Sequence, residues 1–236
     1  MKQAIRFCHA ADGVRIAYAT IGEGPPLVKT ANYLTHLKYD WEGPVWRHWL
    51  EGLAQYHTLV RYDERGCGLS DWDVTEFSME AWVRDLEAVV DASGLERFPL
   101  LGISQGASVS VAYAVKHPER VSHLILFGGY ARGRFQRDLT SEETLQAETM
   151  INVIRVGWGK DNPAFRQLFT TMLMPEGSEE QKAWLNELAR VSVTPENAAA
   201  MERAFYQIDV TELYSQVTAP TLVLHSRGDG GIPFVE

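Results

Sequence analysis

Apolar residues recur along the chain with two periods, and their order predicts an α/β fold. Ile5 to Ala10 alternates, Asp12-Gly13 gives a tight turn, and Val14 to Ala19 alternates again, which is the pattern of a β-hairpin. After the turn at Gly22-Glu23-Gly24-Pro25-Pro26, Leu27 to Ala31 reads as a short strand. Trp41, Val45, Trp46, Trp49, Leu50 and Leu53 fall at helical spacing and predict one core-facing helix over 41–56. Thr58 to Tyr62 is the next strand. Ser78 to Ser93 predicts an amphipathic helix with Trp82, Val83, Leu86, Val89 and Val90 inward, Ser78 as N-cap and Gly94 as the stop. Phe98 to Gly102 is a short buried strand that runs into a helix reaching Ala114, and His117-Pro118 ends that helix. Val121 to Phe127 and Thr221 to His225 are further strands.

Short apolar strands separated by amphipathic helices indicate a mainly parallel sheet covered on both faces. The stretch 131–216 breaks this alternation. It is helical in pattern, with helix starts at Ser141-Glu142-Glu143-Thr144 and Thr194-Pro195-Glu196-Asn197 and no clear strand. It is therefore expected to be a helical cap inserted between two strands of a core formed by 1–130 and 217–236. Its Trp158, Phe165, Phe169, Met172 and Phe205 suggest an apolar substrate group, although helix packing accounts for such residues equally well.

Bulk properties narrow the function classes. With 22 Lys plus Arg against 31 Asp plus Glu, the net charge is −9, so the surface offers no attraction to phosphate backbones and nucleic acid is not an expected partner. The two cysteines, Cys8 and Cys67, are too few for a disulfide framework and are not clustered with histidine as a zinc site requires. They read as free thiols of a reducing compartment. No uncharged apolar run approaches the roughly 18 residues of a spanning helix, and the N-terminus lacks a signal-like apolar stretch, so a cytoplasmic protein without membrane contact is expected.

The chemistry is concentrated in Gly102-Ile103-Ser104-Gln105-Gly106, a G-x-S-x-G between a strand and a helix. In that context the glycines permit a turn too tight for side chains, the serine hydroxyl is pushed out at the end of the sheet, and the helix N-terminus favours developing negative charge.

Four segments in order resemble the α/β-hydrolase family over nearly the whole chain. They are 61–71 (Arg-Tyr-Asp-Glu-Arg-Gly-Cys-Gly-Leu-Ser-Asp), the turn at Ser104, His117-Pro118-Glu119-Arg120-Val121, and 220–229 (Pro-Thr-Leu-Val-Leu-His-Ser-Arg-Gly-Asp). The resemblance is to bacterial esterase-like hydrolases. It implies Ser104 as nucleophile, Asp229 as the acid that orients a catalytic imidazole, and an oxyanion hole built from the backbone N–H of Gln105 and a second N–H in the loop after Leu27–Ala31. Where the family often has His-Gly, this chain has Ala31-Asn32-Tyr33; Tyr33 is the favoured donor and Asn32 its rival. The side chains of Asn32 and His36 are pocket candidates. The resemblance implies no metal or organic cofactor and a small-molecule ester substrate.

The family's order is Ser, Asp, His. After Asp229 come Gly230-Gly231-Ile232-Pro233-Phe234-Val235-Glu236, with no histidine, so the terminal strand, histidine loop and closing helix are expected to be missing. Of the seven histidines, His225 reads as a core or supporting residue and His36 as the substitute base nearest the pocket. Two readings follow: an ester-cleaving serine hydrolase impaired in its base, or a non-catalytic binding protein that kept the pocket. Losing the terminal strand would leave Thr221–His225 as an exposed sheet edge through which two copies could associate.

Overall fold

The computed structural model describes residues 1–160 and 163–234. Asp161 and Asn162 of the expected cap, and Val235 and Glu236 of the expected core, lie outside the described residues. Among these residues seven strands form one sheet: β1 (Ala4–His9), β2 (Arg15–Ile21), β3 (Pro26–Lys29), β4 (Thr58–Tyr62), β5 (Phe98–Ile103), β6 (Val121–Phe127) and β7 (Thr221–Leu224). Their spatial order is β1-β2-β4-β3-β5-β6-β7. The β1–β2 and β2–β4 pairs are antiparallel, and every pairing from β4 through β7 is parallel. The fold class read from the sequence is thus the one observed. The hairpin turn is made at Gly13, whose φ of 88 is open to glycine at no steric cost.

Helices cover the two faces unequally. Leu27, Leu59, Leu101 and Ile103 face Leu50 and Ala54 of α2 (Arg47–Ala54), with Trp49 stacked on Phe127 at 5.4 Å. The opposite face packs against α3 (Met79–Ala92) and α4 (Gln105–Lys116) through Trp82, Leu86, Val90, Val109 and Tyr113. Ser78 caps α3 by accepting from the Ala81 N–H at 3.1 Å, as its position predicts. The single helix expected over 41–56 is instead two, α1 (Leu37–Glu42) and α2. Gly43 and Pro44 break it, because proline restricts the residue before it and supplies no N–H.

Among the described residues, four α-helices stand between β6 and β7: α5 (Ser141–Gly157), α6 (Pro163–Leu173), α7 (Glu179–Ser192) and α8 (Pro195–Tyr206). The N-cap of α5 is Thr140, one residue ahead of the expected start, and it forms a capping box with Glu143. Thr194 caps α8, with Pro195 in its first turn. At the far end of the sheet, Leu222, Val223 and Leu224 of β7 are exposed. Among the described residues no helix is long and apolar enough to cross a membrane.

Candidate active site

Ser104 sits between β5 and α4 at φ 53, ψ −129, and among the described residues it has the one positive φ outside glycine. Such a backbone costs of order 1–3 kcal/mol and persists only where its surroundings hold it. Here the Ser104 N–H donates to Phe127 O of the neighbouring strand, and its carbonyl accepts from the Ala107 N–H, both at 3.0 Å. The glycines of the motif follow from contact distances. A Cβ on Gly102 would lie 2.5 Å from Ala107 Cα, and one on Gly106 would lie 2.4 Å from Ala31 O. The second approach brings the loop after β3 against the first turn of α4.

Tyr33, Ser104 and Gln105 all line one open cleft of about 1450 Å³. Neither the Tyr33 nor the Gln105 backbone N–H donates a hydrogen bond among the described residues. Two unengaged donors near a hydroxyl at a helix N-terminus suit a developing oxyanion. The Gln105 side chain is turned inward, donating to Glu64 Oε1 at 3.3 Å.

Asp229 lines the same cleft, and its Oδ1 accepts from the Gly231 and Ile232 N–H groups, both at 2.9 Å. Its Oδ2 makes no hydrogen bond to Ser104 among the described contacts. It lies 3.8 Å from where a Gly128 Cβ would be and 3.9 Å from His225 Nε2. His225 is nevertheless engaged elsewhere, with Nε2 3.1 Å from Ile232 O, and it is not among the residues that line the cleft.

Two pocket candidates are placed differently from expectation. His36 is the N-cap of α1: its Nδ1 accepts from the Tyr39 N–H at 3.2 Å, and burial pulls its pKa below the usual imidazole value. An imidazole used as a cap, and favoured neutral, is not free to swing to Ser104. Asn32 is buried and its Oδ1 accepts from Lys29 Nζ at 2.5 Å, while its Nδ2 donates to Tyr33 O at 3.1 Å. Its side chain thus faces the protein interior. Among the described residues that line the cleft, none is a histidine.

The opposite wall comes from the inserted helices. Met150, Ile154, Trp158, Phe169, Met172 and Phe205 give it an apolar arm, whereas Phe165 packs away from the cleft, against Gly157. Tyr130, Arg134, Glu202 and Tyr206 form a polar arm that sequence reasoning missed. Tyr206 hydrogen-bonds Glu202, and burial raises the Glu202 carboxyl above its ordinary pKa. The available signal was spacing: Glu202 lies four residues after Ala198 and three before Phe205, both buried, so it borders the inward stripe of α8. Among the described residues no group of three or more His, Cys, Asp or Glu is placed to hold a metal ion.

Comparison with known proteins bears on the fold and the family. The chain is 24% identical over 225 residues to a pyrrolizixenacetamide deacetylase from Xenorhabdus hominickii, covering 93% of this chain and 79% of that protein. It is 29% identical over 226 residues to a 2-hydroxymuconate semialdehyde hydrolase from Pseudomonas sp., covering 90% and 69%. An esterase structure from Exiguobacterium antarcticum superposes with a TM-score of 0.79 at 25% identity, covering 97% of this chain and 83% of that one. A family model for the alpha/beta hydrolase fold matches residues 42–233. With that match spanning most of the chain, on a sheet of the same architecture, this chain belongs to the α/β-hydrolase fold family.

Proposed function

We propose that the protein is a serine hydrolase of carboxylic esters. The observation that carries this reading is the strained Ser104, at the head of α4, sharing a cleft with two unengaged N–H groups and with Asp229. Ser104 Oγ would attack the acyl carbon as its proton passes to a solvent water or an added imidazole, from which the leaving alcohol later takes it. The carbonyl oxygen would take up negative charge toward the Tyr33 and Gln105 N–H groups. Collapse would expel the alcohol, which takes a proton, and leave an acyl-enzyme for water to cleave. Asp229 would orient and charge-stabilise an imidazole between itself and Ser104. The inserted helices would act as a cap whose Trp158, Phe169 and Met172 hold an apolar acyl or alcohol group.

No described residue that lines the cleft is a histidine, so hydrolysis is expected to respond to an added base. A general base contributes about 10²–10⁴-fold, and an unassisted serine hydroxyl stays protonated near neutral pH. The same observation favours a second reading, a binding protein that kept the cleft without the chemistry. Hydrolysis of a short-chain p-nitrophenyl ester, with and without added imidazole, separates the two. The hydrolase reading predicts slow turnover that imidazole raises in the wild type more than in Ser104→Ala, with Asp229→Asn weakening the imidazole response. Equal rates in the wild type and Ser104→Ala at every imidazole concentration would favour the binding protein.

A further inference from the structure

Beneath the cleft lies a layer of buried charge that the chemistry above does not use. It contains Lys29 at the end of β3, Asp40 in α1, Arg61 in β4, and Asp63 and Glu64 just after β4, all buried. Most of these have an evident task. Arg61 pairs with Asp40 at 2.9 Å, and Asp63 Oδ2 accepts from the Leu37 and Leu69 N–H groups at 3.1 and 2.8 Å. Lys29 differs from them. Among the described residues it forms no ion pair, and both of its hydrogen bonds go to the segment that follows it: Asn32 Oδ1 at 2.5 Å and Thr30 O at 3.3 Å. Its ammonium also lies 5.7 Å from the centre of the Trp46 ring. A buried ammonium without a carboxylate in contact is costly, and an apolar side chain of similar volume would be cheaper for folding alone. The hydrogen bonds show where the charge acts.

We infer that Lys29 is a positioning residue for the oxyanion hole: its ammonium clamps the Asn32 side chain, and that side chain holds the Tyr33 carbonyl, fixing the backbone of Tyr33 and with it the direction of the Tyr33 N–H. This rests on the reading of Ser104 and the Tyr33 N–H given above. The chain of contacts is short. Lys29 Nζ donates to Asn32 Oδ1, Asn32 Nδ2 donates to Tyr33 O at 3.1 Å, and the preceding residues are pinned by Thr30 N–H to Leu101 O at 2.9 Å and Thr30 Oγ1 to Ser110 Oγ at 2.7 Å. The loop is therefore anchored at Thr30 on β5 and α4, and at its tip by the ammonium. Glu64 holds the Gln105 side chain from the same layer, so both residues that carry the donors are tied to one buried network.

The clamp depends on pH. Burial pushes the Lys29 ammonium down to about 8, helped by Arg61 and opposed by Asp40, Asp63 and Glu64, which are the charged groups facing it from α1, β4 and the segment after β4. Below that pH Nζ is a charged donor and the clamp is strong. Above it the amine is neutral, and a neutral hydrogen bond is roughly half as strong.

The test is the rate at which a fluorophosphonate modifies Ser104 between pH 6 and 10, in the wild type, Lys29→Met, Asn32→Ala and the double variant. The phosphoryl oxygen of the probe occupies the oxyanion hole, and a ratio of rates cancels the ionisation of Ser104 itself. At pH 7 the wild type should react about 10-fold faster than either single variant, given that loss of a whole donor costs about 10²–10³-fold. The double variant should be no slower than the single ones, and the ratio should shrink toward one above about pH 8. Near-ultraviolet circular dichroism identifies any variant that fails to fold, and Asn32→Ala carries the same pH criterion if Lys29→Met does not. A ratio near one at pH 7, or a ratio independent of pH in a natively folded variant, overturns the clamp while leaving Ser104 as the nucleophile. A wild-type protein that is not modified at all, even with imidazole added at a fixed concentration throughout, overturns both.

Discussion

At the residue scale, the structure shows burial overriding the ordinary behaviour of charged side chains around the site. Asp63 is fully buried, and desolvation pushes its carboxyl up to about 7, with nearby Asp40 adding to the rise and the Leu69 and Leu37 N–H groups opposing it. A folded-state pKa above the unfolded value means that the native state binds more protons, so stability is full below about pH 4 and is lost as pH rises through about 7. Melting temperature should therefore fall between pH 5 and 7.5 in the wild type. Asp63→Asn, which cannot ionise, should flatten part of that slope, by about 1 kcal/mol or more over the interval. Glu64 and Asp40, whose carboxyls burial also raises, would maintain the remainder. An identical slope in Asp63→Asn would show that Asp63 is ionised in the native state throughout.

None of this layer was legible in the sequence. A charged residue in a strand, such as Lys29 or Arg61, reads as an outward position in a period-2 pattern, and only the covering by α1 and the loop after β4 buries it. Ser104 was legible because its signal is local: two glycines excluded by contacts of 2.5 and 2.4 Å leave a mark in five consecutive residues. Asn32 and His36 were misplaced because their side chains are claimed by Lys29 and by the N-terminus of α1, partners that sequence proximity to the oxyanion loop does not reveal.

At the scale of elements, strands and the longest helices were read where amphipathic patterning was strong, as in α3, and the error over 41–56 came from ranking apolar spacing above Gly43-Pro44. The element with the clearest consequence is β7. Among the described residues it pairs with β6 alone, and Leu222, Val223 and Leu224 are 53%, 65% and 44% exposed. An apolar strand with one unpaired edge is a template for another strand. We propose that two copies associate through this edge, which as a two-fold contact would place the same residues on both sides. Light scattering after size-exclusion chromatography should show a dimer whose population grows with concentration, and Val223→Lys should return it to monomer, since lysine on an edge opposes pairing. A wild-type chain that stays monomeric at high concentration would refute the contact.

At the scale of the whole molecule, the sheet, the two helical layers and the inserted helices have one consequence: they bring four distant points of the chain to one cleft. Tyr33 follows β3, Ser104 and Gln105 follow β5, Asp229 follows β7, and Trp158 and Phe205 come from the helices between β6 and β7. In a parallel sheet, loops at the carboxyl ends of strands share one edge, which is why these residues meet although the sequence separates them. The sequence supported the family from four ordered segments, and the family match over residues 42–233 agrees with it. The polar arm at Glu202 and Tyr206 was not read, because which face of α8 looks into the cleft depends on how the inserted helices pack, not on α8 alone.

Ser104, as proposed, is a nucleophile poised for acyl chemistry. Its most direct test is intact-mass and peptide-level mass spectrometry of the chain after exposure to an alkyl fluorophosphonate. A single adduct is expected, located on the peptide that carries Ser104, absent from Ser104→Ala and suppressed by a slowly cleaved ester that occupies the cleft. Because imidazole supplies the base that the described cleft lacks, its addition should accelerate adduct formation on Ser104. No adduct on Ser104 with imidazole present, or an unchanged adduct in Ser104→Ala, would contradict the account.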